Sequence, residues 1–142
     1  VQRQVMELLK SLSREADLAL VLITHDLGVA AEQADKVMVM YAGRTVETGL
    51  TDEVFAKPYH PYTQALLSSM PDLTDNSNRL GIISGAPPVL TQLPEGCAFR
   101  PRCQFVAPMC RLNRPQLFVS GPSRASACFR VDDIFKKQNS NV

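Results

Sequence analysis

The stretch Ala19-Leu20-Val21-Leu22-Ile23-Thr24-His25-Asp26-Leu27 decides how this chain is read. Apolar residues run unbroken from Ala19 to Ile23, then give way to Thr-His-Asp, after which a helical pattern begins. A short continuous apolar run bounded by polar residues predicts a strand buried on both faces, as in a parallel sheet. Open α/β sheets place their ligand chemistry just beyond the carboxyl ends of such strands. His25 stands there, where an imidazole beside a helix N-terminus can meet an anion such as phosphate. The expectation is an α/β fold with residues 18–23 as a buried parallel strand.

Upstream, Val5, Met6, Leu8, Leu9 and Leu12 recur at helical spacing, with Glu7, Lys10, Ser11 and Arg14 on the other face. This predicts an amphipathic helix over residues 2–16, with Asp17 turning into the strand. Helix then buried strand is half of a βαβ unit, so a preceding strand is expected upstream. A first residue that is not Met, with a helix already under way, predicts a fragment of a longer protein.

Downstream, Asp26 is placed to cap a helix from Leu27 to Ala34. Lys36 to Tyr41 reads as a strand, Ala42-Gly43 as a turn, and Arg44 to Gly49 as a half-buried strand: an edge hairpin. Thr51 is a candidate N-cap for a helix over 52–57, with Asp52 and Glu53 at its positive end. Pro61 suits the first position of a helix running to Met70 and stopped by Pro71.

Residues 72–80 read as a linker. Beyond it, prolines at 87, 88, 94, 101, 108, 115 and 122 leave little room for long helices. The expected organisation is a first unit over 1–71, the linker, a loop-rich extension over 81–135 and a disordered tail over 136–142.

At 142 residues and 45% hydrophobic, the chain can bury one ordinary core, and its net charge of +1 gives no global argument for nucleic acid or membrane. The charge is unevenly shared. Residues 1–80 carry 7 Lys/Arg against 11 Asp/Glu, and residues 81–142 carry 8 against 3, which suggests two functional units. Phe99, Phe105, Phe118 and Phe129 lie among the arginines, but they are needed to cover a small core, so nucleic acid is not an expected partner. No apolar run reaches the roughly 18 residues of a membrane-spanning helix.

Leu22-Ile23-Thr24-His25-Asp26, followed by Asp35-Lys36-Val37-Met38-Val39-Met40-Tyr41-Ala42-Gly43-Arg44-Thr45-Val46-Glu47-Thr48-Gly49, resembles the end of an ABC-transporter ATPase domain. Further on, the run from Phe55 through His60-Pro61-Tyr62-Thr63, with Ser84-Gly85-Ala86-Pro87-Pro88, resembles the C-terminal extension of dipeptide and oligopeptide importer ATPases. The resemblance implies that His25 contacts the γ-phosphate of ATP and couples it to dimer closure. It also implies a second ATPase subunit and membrane-embedded permease subunits as partners, with a peptide-binding protein acting indirectly. The implied location is peripheral, on the cytoplasmic face of the inner membrane. A nickel importer is a related alternative. His60, by contrast, reads as a structural helix start.

No G-x-x-x-x-G-K-[ST] loop occurs in these 142 residues, nor does a Ser-Gly-Gly signature helix. Binding of the ATP phosphates and Mg²⁺ is therefore expected upstream of Val1, and this piece alone is expected not to hydrolyse ATP. Its exposed strand edge is expected to need a covering, by dimerisation or by rearranged packing.

Cys97, Cys103, Cys110 and Cys128 are spaced C-x5-C-x6-C-x17-C. Disulfides suit a proline-rich unit, but the resemblance implies the cytosol, where stable disulfides are uncommon. Four thiolates can hold zinc, although no close C-x2-C pair occurs. They can also hold an iron–sulfur cluster, with Arg100, Arg102, Arg111 and Arg114 offsetting its charge. The resemblance implies a [4Fe–4S] cluster. Unligated thiols remain a further reading, and a metal-binding interaction module is the alternative to the importer as a whole.

Overall fold

The computed structural model describes residues 2–70 and 83–134. The expected linker at 72–80 and tail at 136–142 lie outside the described residues. The chain divides into two compact units between Asp35 and Lys36.

In the first unit, helix α1 spans Gln2–Glu15. Asp17 closes it from the left-handed region, at φ 50°, while Leu18 N–H donates to the Ser13 carbonyl at 2.8 Å. That six-residue closure satisfies a carbonyl the helix would otherwise leave unpaired. Met6 is buried, whereas Val5, Leu8 and Leu12 are half exposed. Helix α2, Leu27–Gln33, is capped as expected: Asp26 Oδ1 accepts from Val29 N–H at 3.1 Å.

Residues 18–24 form no strand, which corrects the opening expectation. Val21 is 84% and Ile23 95% exposed, with Leu18, Leu20 and Leu22 also open to solvent. A strand is made by its ladder partners, and no described strand pairs with this run. The hydrophobicity is present without the neighbours that would turn it into sheet.

The second unit is built on a four-stranded sheet in the order β1-β2-β4-β3, all pairs antiparallel. Strand β1 is Lys36–Tyr41 and β2 is Arg44–Leu50. The predicted hairpin is there, with β1 at the sheet edge. Its tip uses Ala42 and Gly43, at φ 50° and 75°, the pair of positive angles that a two-residue turn matched to strand twist requires. The parallel arrangement is not seen among the described residues.

The register slips opposite Val46, which has no partner in β1. Such a bulge turns two consecutive side chains inward, and both Val46 and Glu47 are buried. Helix α3, Thr51–Ala56, and helix α4, Pro61–Ser68, follow. Leu50, rather than Thr51, takes the cap position of α3.

The rest of the chain returns to this hairpin. A one-turn helix, α5, spans Met109–Leu112; β3 is Phe118–Val119 and β4 is Ala125–Ser126. Strand β4 pairs with β2 through Glu47↔Ser126 and Thr48↔Ala125. Tyr41, Val46 and Phe99 form a core cluster, with Tyr62 packed against it and the rings of Tyr41 and Phe99 meeting edge-on at 5.2 Å. Phe99 is thus spent on packing. Among the described residues, no helix is long and apolar enough to cross a membrane.

Candidate functional site

His25 sits in the bend between the exposed apolar run and α2, with its side chain open to solvent. Its neighbours fix the turn. Thr24 Oγ1 accepts from Asp26 N–H at 3.0 Å, and Asp26 then caps α2. The residues on either side of the exposed imidazole carry the local hydrogen bonding.

The four cysteines come together in the second unit. Cys97, Cys103, Cys110 and Cys128 line one cavity, together with Phe99, Phe105, Phe129, Pro61, Pro115, His60, Arg100 and Arg130. Cys97 and Cys103 flank the 3-10 turn Arg100–Arg102, Cys110 lies on α5, and Cys128 follows β4. Cys97 N–H donates to the Cys110 carbonyl at 2.9 Å. Gly96 makes that approach possible. Its φ is +71°, and a Cβ there would lie 2.4 Å from the Cys110 oxygen.

All four are free thiols. Burial pushes the Cys97 thiol up, Cys103 to about 11 and Cys128 to about 12, and the neighbouring cysteines add to the rise. Main-chain N–H groups oppose it: those of Phe99 and Arg100 point at Cys97, that of Phe105 at Cys103 and that of Arg130 at Cys128. The last is a 3.4 Å contact. Uncharged sulfur makes poor use of such donors, whereas thiolate sulfur is stabilised by them.

The arginines near these loops mostly hold backbone. Arg100 donates to the carbonyls of Glu95 and Arg111, Arg102 to those of Ser84 and Ile83, and Arg114 to that of Gly96. Arg130 lines the cavity as Arg100 does, but it pairs with Asp133 and reaches the Phe105 carbonyl at 3.4 Å.

Among the described residues, no three Cys, His, Asp or Glu side chains are grouped so as to hold one metal ion. With Zn–S bonds of about 2.3 Å, zinc needs its sulfurs within roughly 4 Å of each other. The geometry therefore lends no support to zinc, or to a metal-binding module as the chain's function. A cubane cluster sets a different requirement, since each cysteine binds a different iron and the sulfurs stand further apart.

Beside the cavity lies a buried polar network that sequence patterning did not reveal. Glu47 Oε1 accepts from Tyr59 N–H and from Arg124, each at 2.8 Å, and Oε2 accepts from His60 N–H at 2.9 Å. Arg124 also donates to the Lys57 carbonyl at 2.7 Å and stacks over the Tyr59 ring. His60 caps α4, its Nδ1 accepting from Tyr62 N–H at 3.1 Å, and hydrogen-bonds the Ala127 main chain. The structural reading of His60 holds. The signal for the network was a Glu in a half-buried strand, with its cation too far along the chain to recognise.

Residues 46–110 match the family model described as oligopeptide/dipeptide transporter, C-terminal region. The chain is 48% identical over 130 residues to the oligopeptide transport ATP-binding protein OppD of Salmonella typhimurium, covering 92% of this chain and 38% of that protein. It is 50% identical over 135 residues to the Haemophilus influenzae OppD, covering 95% and 42%.

Residues 46–110 belong to that family region, and the chain is similar to the C-terminal regions of peptide-importer ATP-binding proteins.

The dipeptide transport ATP-binding protein DppD of Escherichia coli matches at 43% over 134 residues, covering 94% and 41%. The chain thus spans about two fifths of the length of these curated relatives. The family model starts in β2 at Val46 and stops at Cys110. It takes in Glu47, His60 and three of the cysteines, while His25, Arg124 and Cys128 lie outside it.

Proposed function

We propose that this chain is the C-terminal part of the ATP-hydrolysing subunit of a dipeptide or oligopeptide importer. The observation that carries the reading is identity of 43–50% across more than nine tenths of the chain to proteins named as peptide-transport ATP-binding proteins. In this reading His25 touches the γ-phosphate of ATP and reports its presence to the dimer interface. The solvent-open imidazole beside the α2 cap supports that role. The run Leu20–Ile23 is then a strand whose ladder partners belong to the remainder of the ATPase domain. Its exposure supports this, because so apolar a run is stable only when covered. ATP phosphates and Mg²⁺ are held by that remainder, and the subunit works on the cytoplasmic face of the inner membrane with permease partners and a second ATPase subunit.

The second unit holds a [4Fe–4S] cluster on Cys97, Cys103, Cys110 and Cys128. Two features support it: four thiols on one cavity, and main-chain N–H groups aimed at three of the sulfurs. Such a group supplies a one-electron couple and a covalent tie between loops. The chain's part is to hold the thiols in place, shield them with Phe99, Phe105 and Phe129, and give up the thiol protons on loading.

Peptide uptake tests the importer reading. Cells lacking the subunit should fail to take up labelled di- and oligopeptides, regain uptake with the wild-type subunit, and fail to regain it with His25→Ala. Undiminished uptake without the subunit would overturn the reading.

A further inference from the structure

We infer that Arg130 is the positioning residue that sets how readily the cysteine site accepts an electron, an inference that rests on the cluster reading above. Three observations converge on it. Arg130 lines the cavity beside all four cysteines. Its main-chain N–H contacts Cys128 Sγ at 3.4 Å, and its guanidinium reaches across to the Phe105 carbonyl, also at 3.4 Å. It thereby links the loop carrying Cys128 to the loop carrying Cys103. Arg100, which also lines the cavity, is turned away by its bonds to the Glu95 and Arg111 carbonyls, and Arg114 is held on Gly96.

The Arg130 guanidinium, held at the Phe105 carbonyl on the cavity wall, places a positive charge between the loops of Cys103 and Cys128, while Arg114 adds to the positive charge on the Cys97 side. Asp133 grips the same guanidinium and subtracts from that field. When the site takes one electron from an external low-potential donor, its net charge becomes more negative by one. A fixed cation alongside favours the reduced form, and a fixed anion disfavours it. Arg130 and Asp133 therefore act as an opposed pair on one couple. Both side chains face solvent, so their effect should shrink as salt rises.

The test is the midpoint potential of the full-length subunit after anaerobic loading with ferrous iron and sulfide, titrated with dithionite and followed by visible absorbance and electron paramagnetic resonance. Arg130→Met should move the potential negative by at least about threefold in the reduction constant, roughly 28 mV at about 59 mV per tenfold for one electron. Arg130→Lys should stay near wild type, Asp133→Asn should move positive, and both shifts should weaken in high salt. If Arg130→Met fails to load, Asp133→Asn still decides. Unchanged potentials in variants that carry wild-type iron and sulfide would overturn the role of Arg130 and leave the cluster reading standing. A wild-type subunit that retains no iron and sulfide would remove both.

Discussion

Glu47 and Arg124 stand 77 positions apart and meet at 2.8 Å in the interior, with 1% and 7% of their side chains exposed. The pair ties the hairpin to the strand that closes the sheet. The carboxylate also takes the main-chain N–H groups ahead of α4, so one residue organises three segments.

Removing one partner from such a pair strands a buried charge. Glu47→Ala should destabilise the second unit by about 3–5 kcal/mol, read as a lower urea midpoint. The double variant Glu47→Leu/Arg124→Met, which removes both charges, should lose clearly less than Arg124 left alone with Glu47→Ala. Equal losses would mean that the pair is not coupled.

Gly96 should not tolerate a side chain. Gly96→Ala must break the Cys97–Cys110 approach or strain a left-handed backbone, at a cost of at least about 2 kcal/mol. Gly43→Ala, where a Cβ meets nothing within 4 Å, carries the backbone strain alone and should cost less in the same unfolding measurement.

Acid should weaken the second unit through His60. Burial lowers its pKa from 6.5 to about 4, so the unfolded chain binds the proton first. Stability from this group is complete above pH 6.5, falls as pH drops towards 4, and is gone below that. The total is about 3 kcal/mol at 1.36 kcal/mol per pH unit. His60→Asn keeps a helix cap and should flatten that arm of the pH profile.

What was legible in the sequence was local. Asp26 as a cap, Ala42-Gly43 as a two-residue turn and Pro61 opening a helix each depend on residues within a few positions. The strand expected at 18–23 depends on ladder partners that no described residue supplies, so the run is not part of a sheet among the described residues. Glu47 was unreadable because its cation lies 77 positions away. The cysteines stood out by type. That Arg100, Arg102 and Arg114 hold carbonyls was set by loop geometry that spacing does not show.

In the unloaded chain the thiols should be slow. A thiol pushed from 9.0 to about 11, as Cys103 is, keeps roughly one hundredth of its thiolate at pH 8. Reaction with a disulfide reagent at that pH should therefore be far slower folded than in denaturant. Equal rates would show the cavity to be open.

The most direct test of the importer reading is ATP hydrolysis by the full-length subunit assembled with its permease partners, with transported peptide and its binding protein present. The expected result is peptide-stimulated turnover that falls by about 100-fold or more in His25→Ala, the scale of losing one electrostatic contact to a reacting group. The 142-residue chain alone should release no phosphate. Full turnover in His25→Ala, or phosphate release by the isolated chain above its own His25→Ala control, would contradict the account.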